Sequence, residues 1–282
     1  MAIYQLRFSS NGRLHLYPKE KHIRAAVHQL ALATRGKLVM FGFIHEHGHP
    51  LVIDEPNHIE RLKNTLESDL GAVAAEPMEE LWYDRVRSRS HLLSLVRYFL
   101  DQTYHHSIPA HPATWSGSCF MDLVGARVVA GLELRLFEVL PSLTRAKLFE
   151  MVGLPPGCLR AASDSTIRAL GALRLREAAS AALAADPELA GNDTPSAQAR
   201  RVVAHLAAVV GIPFGEVANV LRMTSTAVAR IAKREVEDTY VNATRLRLSL
   251  EEVVRARIEQ DWYRRIIEEH ASRKASRLLR GR

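Results

Sequence analysis

Strand-like and helix-like segments interleave as far as residue 130 of this chain, and beyond it no segment reads as a strand. The fold must therefore change character along the sequence. The chain opens on two β-rich runs, residues 3–8 and 13–17, around Ser9-Ser10-Asn11-Gly12, and Asn-Gly is a strong hairpin signal. Residues 19–34 carry Ile23, Ala26, Val27 and Leu30 at helical spacing, with Gly36 placed to end the helix. Residues 38–43 and 47–53 read as strands joined by a tight link at Ile44-His45-Glu46. A helix over 57–70, capped by Asn57 or Asp54, puts Ile59, Leu62, Leu66 and Leu70 on one face. A further strand is expected over 83–87, then a helix over 90–104 with Leu92, Leu95, Val96, Phe99 and Leu100 as its apolar face. This pattern predicts an α+β domain over residues 1–130, with helices packed on an antiparallel sheet.

The remainder reads as all-α. Gly153-Leu-Pro-Pro-Gly157 breaks the chain, and the stretch 186–196, with Asp186-Pro187 and Gly191-Asn-Asp-Thr-Pro195, marks a linker. We expect a helical connector over 131–190, a DNA-binding region over 196–240 and a basic C-terminal helix over 245–282. Residues 196–210 carry Val202, Val203, Leu206 and Val209 at helical spacing. Two shorter helices follow, 214–221 and 225–235, joined at Arg222-Met-Thr, the second starting at a Ser cap. That pattern resembles a helix-turn-helix, against an ordinary helical bundle with a solvated charged face. Residues 199–235 hold six Arg or Lys against two Glu, a net +4. In such a motif the second helix enters the major groove, which makes Ser225, Thr226, Arg230 and Lys233 the candidate duplex-DNA contacts. From Leu248 a helical stripe runs through Val253, Val254, Ile258, Trp262 and Ile266. Residues 264–282 add seven Arg or Lys against two Glu.

Composition narrows the class. The 282 residues are 47% hydrophobic and 24% charged, which excludes wholesale disorder. Lys and Arg total 38 against 31 Asp and Glu, a formal charge of +7 that suits a polyanionic partner. Cys119 and Cys158 are too few for a disulfide framework or a thiolate zinc site, so a reducing, cytoplasmic setting is expected. The longest apolar run near the start, residues 38–44, is far short of the ~20 residues a membrane helix needs. No membrane partner is expected.

The densest run of chemistry-bearing side chains is His45-Glu-His-Gly-His49. In a strand, residues two apart face the same way, so His47 and His49 present paired imidazoles, the commonest transition-metal ligand. His45 is an alternative partner for His47. In the helix over 90–104, Tyr98 and Gln102 are four apart and share a face, a hydroxyl beside an oxygen ligand.

Taken in order, these motifs resemble the REP-associated tyrosine transposases, within the insertion-sequence transposases that use a single tyrosine and an HUH motif. The family's strand Met-Pro-Asn-His-apolar-His-Leu-Leu-Val is matched by Ile44-His-Glu-His-Gly-His-Pro-Leu-Val-Ile53. Its Trp-x-x-Arg element is matched by Trp82-Tyr-Asp-Arg85, and its Arg-Tyr-Ile-x-x-Asn-Pro by Arg97-Tyr-Phe-Leu-Asp-Gln102. A Trp-Ser patch follows in His111-Pro-Ala-Thr-Trp-Ser-Gly117. The resemblance covers roughly residues 1–150. It departs at Gly48, where the family has an apolar residue, at Pro50, which suits only an edge strand or bulge, and in lacking Asn-Pro after the tyrosine helix.

The resemblance implies an HUH, ferredoxin-like domain. It implies Mg²⁺ or Mn²⁺ held by His47, His49 and Gln102, Tyr98 as nucleophile, and Arg85 on the DNA. The implied reaction cleaves and rejoins single-stranded hairpin DNA through a 5′-phosphotyrosine, without ATP. Consistently, no phosphate-binding Gly-x-x-x-x-Gly-Lys loop occurs. Two other classes remain beside it: a DNA-binding protein with a decayed centre acting through the helix-turn-helix, and a metal-dependent phosphodiesterase or RNA-processing enzyme. Both monomer and homodimer are compatible with the sequence.

Overall fold

A computed structural model describes residues 1–10 and 14–259. The expected Asn11-Gly12 turn, Trp262, Ile266 and the basic stretch 264–282 lie outside the described residues. The first part of the chain runs β1 (Ala2–Ser9), α1 (Glu20–Thr34), β2 (Leu38–Phe43), β3 (His47–Asp54), α2 (Ile59–Gly71), β4 (Trp82–Arg85) and α3 (Arg89–Leu100). The strands form one sheet in the order β2-β3-β1-β4, every neighbouring pair antiparallel. The architecture is thus α+β on an antiparallel sheet.

Alternation along the strands divides the two faces. Phe8, Phe43 and Tyr17 pack together on one, with ring centroids 5.6–6.3 Å apart. Gly48 sits between them, and a Cβ there would lie 2.3 Å from Phe8 Cζ and 2.5 Å from Phe43 Cδ1. The missing apolar side chain in the middle of the histidine strand is replaced by aromatic rings from both neighbouring strands.

Four local expectations for this part of the chain need correction. The second hairpin strand does not form: Leu14–Tyr17 lies outside the sheet, because β1 is already paired on both edges, by β3 and β4. Leu16 and Tyr17 are buried against the sheet instead, with the Tyr17 amide donating to His45 O at 3.0 Å. Neither Asp54 nor Asn57 caps α2, which starts after His58 without a side-chain cap. Asp54 is taken by Lys37 at 2.9 Å and by the Glu55 amide at 2.9 Å. Pro50 occupies an inner strand, not an edge. The ladder to β1 goes from Gln5↔Leu51 to Phe8↔Gly48 in unchanged register, so the gap falls where proline lacks an N–H. Finally, the tyrosine helix is not continuous. α3 ends at Leu100, Asp101 adopts φ −93° and ψ 4°, and α4 (Gln102–His105) follows.

The sheet's core continues past residue 130. α5 (Phe120–Val124), α6 (Leu136–Val139) and α7 (Arg145–Met151) contribute Phe120, Leu136, Leu148 and Phe149 to it. A second core begins at Ala162 and is built by α8 (Asp164–Ala182), α9 (Thr194–Val210), α10 (Phe214–Leu221), α11 (Ser225–Ala232) and α12 (Asp238–Glu259). α12 serves both, with Ala243 and Leu248 in the second core and Leu250 and Val254 in the first. α8 breaks at Gly171 (φ 77°), and Glu216 Oε1 accepts from the Ala172 amide there at 2.8 Å. The cap of α11 is Thr224, one residue before the expected Ser225; its hydroxyl accepts from the Ala227 amide at 3.2 Å.

Candidate active site

His47 and His49 project from β3 on the face away from Gly48, their ring centroids 4.9 Å apart. α3 crosses the same face and brings Tyr98 to it. The Tyr98 hydroxyl lies 3.5 Å from His49 Nε2, long for a hydrogen bond, and Phe99 stacks on the His49 ring at 5.6 Å. Gln102, buried at the start of α4, accepts from His47 Nε2 through Oε1 at 3.3 Å. The four residues singled out from sequence spacing are therefore neighbours. Gly42, paired with His49 across β2–β3, permits the approach: a Cβ there would stand 3.3 Å from Phe99 O and 3.5 Å from Gln102 Cγ.

Burial sets the electrostatics. It pushes His49 down to about 3, helped by His47, Arg7 and His106 nearby. His47 is also lowered, first by burial, with Gln102 and Glu46 opposing. Both imidazoles are thus neutral at physiological pH and keep a lone pair for a Lewis acid. His49 Nδ1 is buried with no hydrogen-bond partner among the described residues. Two neutral imidazoles and an amide oxygen make a donor set that fits a divalent ion. Among the described residues no three His, Cys, Asp or Glu side chains are placed to hold a metal, so this set depends on Gln102 as its third donor.

His45 is not part of the set. Its Nδ1 is 2.8 Å from Tyr17 O, and its ring packs against Trp115 at 5.2 Å and His15 at 5.6 Å. Trp115 Nε1 donates to Phe43 O at 2.7 Å, tying the Trp-Ser patch to the end of β2. Tyr104 packs against His111 and Tyr83 against Tyr4, both away from the histidine pair. Sequence reasoning missed two histidines on α4 and beyond: His106, 4.7 Å from the His47 ring, and His105, 5.6 Å from the Tyr98 ring. Helical spacing was the available signal, since His105 follows Tyr98 by two turns. It also missed Arg7, whose guanidinium carbon lies 3.3 Å from the Trp82 ring centroid.

Arg85 is exposed at the end of β4 and lines a groove with Arg87, Ser88 and Arg89 at the start of α3. Ser225, Thr226, Arg230 and Lys233 are all exposed on and just after α11. Other charges of that region are engaged internally. Arg200 donates to Gly191 O at 2.7 Å, and Arg222 pairs with Glu188 at 3.2 Å. Both cysteines are free, Cys119 fully buried. No helix among the described residues is long and apolar enough to cross a membrane. Comparison of the chain with protein-family models, curated proteins and solved structures finds no match.

Proposed function

We propose that the chain is a single-tyrosine DNA transposase or endonuclease that cleaves and rejoins single-stranded hairpin DNA, with a helix-turn-helix that binds duplex DNA. The observation that carries the reading is the meeting of Tyr98, His47, His49 and Gln102 on one sheet face, with the tyrosine hydroxyl 3.5 Å from His49 Nε2. The element order β-α-β-β-α-β and the strand order β2-β3-β1-β4 agree with the ferredoxin-like arrangement implied by the family resemblance.

In this mechanism His47, His49 and Gln102 hold Mg²⁺ or Mn²⁺, which when bound supplies Lewis-acid stabilisation of the scissile phosphate's developing charge. Tyr98 Oη attacks the phosphorus and gives its proton to water, and the bond from phosphorus to the 3′ oxygen breaks as that oxygen takes a proton from water. The 3′ oxygen leaves as a hydroxyl, and the 5′ side of the break stays linked to Tyr98. Because the phosphodiester's energy is conserved in that link, rejoining is the reverse attack by a 3′-hydroxyl. His49 orients the Tyr98 ring by contact, and Phe99 stacked behind it keeps the imidazole in place. α10 and α11, joined by the three residues from Arg222 to Thr224, carry the duplex-binding role, with Ser225, Thr226, Arg230 and Lys233 facing outward.

The test is incubation with a labelled single-stranded hairpin and Mn²⁺, read as a denaturation-resistant protein–DNA adduct. Wild type and Tyr104→Phe form it. Tyr98→Phe loses it by at least a hundredfold yet still binds the hairpin, since only a hydroxyl is removed. Mobility retardation without an adduct from any hairpin favours a DNA-binding protein with a decayed centre. Product without an adduct favours a phosphodiesterase.

A further inference from the structure

Arg7 and Trp82 lie outside the constellation just described, yet the sheet register puts them beside it. β1 pairs Arg7 with Trp82 on β4. The β1–β3 register, Gln5↔Leu51 and Phe8↔Gly48, sets Arg7 next to His49, and β2–β3 pairs His49 with Gly42. Gly42, His49, Arg7 and Trp82 therefore form one row across four strands, and directly opposed residues share a face. At one end of the row Tyr98 approaches His49. At the other, about 10 Å or two strand spacings from His49, stands Trp82 on the edge strand, 44% exposed.

The pair is built unlike an ordinary surface contact. Arg7 lies flat on Trp82, its guanidinium carbon 3.3 Å from the ring centroid, so one face of the indole is covered by a cation. The charge of Arg7 is poorly spent within the protein. Its Nη2 is 3.7 Å from the exposed Asp84, and its Nε is buried without a hydrogen-bond partner among the described residues. An exposed pair at that length contributes little. A large aromatic ring held open by a stacked cation is the arrangement that takes an unpaired base on the ring and its phosphate on the guanidinium. A duplex base offers no free face for this. The exposed Arg85 at the end of β4, with Arg87 and Arg89 leading into α3, adds positive charge further along the chain.

We propose that Arg7 and Trp82 form a ledge that seats one unpaired nucleotide of single-stranded DNA next to the phosphate presented to Tyr98. The proposal rests on the reading of Tyr98 as the nucleophile. Trp82 stacks the base and Arg7 holds the backbone, so the strand is fixed in register and one phosphodiester, not its neighbour, meets the tyrosine. They are positioning residues; neither touches the reacting bond.

The experiment measures binding of a fluorescein-labelled hairpin oligonucleotide with a single-stranded flank to the full chain carrying Tyr98→Phe, so that no cleavage intervenes. An abasic site is moved along the flank one position at a time. Trp82→Ala weakens binding roughly tenfold, the equivalent of about 1.4 kcal/mol. One abasic position reproduces that loss with Trp82 present and adds none to Trp82→Ala. Trp82→Phe, which keeps a stacking face, retains most of the affinity and controls for folding. Arg7→Gln lowers the slope of log affinity against log salt by about one. Additive losses at every abasic position overturn the ledge, as does an unchanged affinity in Trp82→Ala. Failure of the function is read separately: coupling at one abasic position without any wild-type adduct removes the nucleophile and keeps the ledge, and an adduct without coupling removes only the ledge. No binding of single-stranded DNA overturns both.

Discussion

Around the sheet, His49, Gln102, His111 and Arg127 are buried, whereas Ser225, Thr226, Arg230 and Lys233 on the helical side all stand in solvent. Under the proposed function both regions would meet nucleic acid, but they place their polar groups differently. A buried polar group must be paired or kept neutral, so its position is fixed by packing and its disturbance is felt by the fold. An exposed one on a short, well-capped helix costs the fold nothing. Chemistry that needs angstrom geometry is expected in the first setting, and contact with a continuous anionic surface in the second.

The sharpest way to break this contrast is to uncouple the buried ion pair of the sheet region. Arg127 Nε donates to Asp122 Oδ1 at 2.8 Å, and the same guanidinium donates to Ser116 O at 2.5 Å and Ser118 O at 2.9 Å. Its side chain is 1% exposed and that of Asp122 6%. Asp122→Ala leaves the cation buried without its counter-charge, so a loss of about 3–5 kcal/mol is expected in urea unfolding. A loss under about 1 kcal/mol would show that the pair is not part of the core.

Acid should act on the sheet region next. Burial pushes His111 down to about 4, with a backbone bond to Val152 opposing, and its Nδ1 accepts from the Ala113 amide at 3.1 Å. The folded value lies below the usual 6.5, so folding favours the neutral ring. Stability from this group is fully present above pH 6.5 and is lost as pH falls from 6.5 through 4, on the order of 2–3 kcal/mol. His111→Gln should flatten that part of the urea-midpoint profile. A profile with the same slope in the variant would refute the assignment.

The smallest expected change in stability comes from the helical side and sharpens the contrast by its absence. Arg230→Ala and Lys233→Ala should each leave the unfolding midpoint within about 0.5 kcal/mol of wild type. Each should lower the salt slope of duplex-DNA affinity by about one, as lost phosphate contacts do. Unchanged slopes would remove α11 as the duplex-facing element.

Legibility in the sequence followed the range of the interactions. Strand β2 and helix α10 have the bounds that periodicity gave, because each is a short apolar run ended by local signals. The neighbourhood of His47, His49, Tyr98 and Gln102 was legible as two local pairs, one at strand spacing and one at helix spacing. That the pairs meet is a matter of α3 crossing β3. The N-terminal hairpin failed for the same reason in reverse. Asn11-Gly12 is a sound local signal, but the edge of β1 that a hairpin partner would use is occupied by strands from far along the chain.

The sequence by itself determined the alternation of strands and helices through the tyrosine helix, the helical character of the later part, the basic balance, and which residues could pair along one strand or one helix. These depend on spacing within a segment, which the chain carries in full. Only the tertiary structure decided that Pro50 lies in an inner strand, that Gly48 is filled by Phe8 and Phe43, and that helices after residue 130, α12 among them, extend the sheet's core. It alone placed Arg7 between His49 and Trp82 in one row. Register between strands is set by which faces bury and which edges are already taken. That information is distributed over segments tens of residues apart, where no local pattern records it.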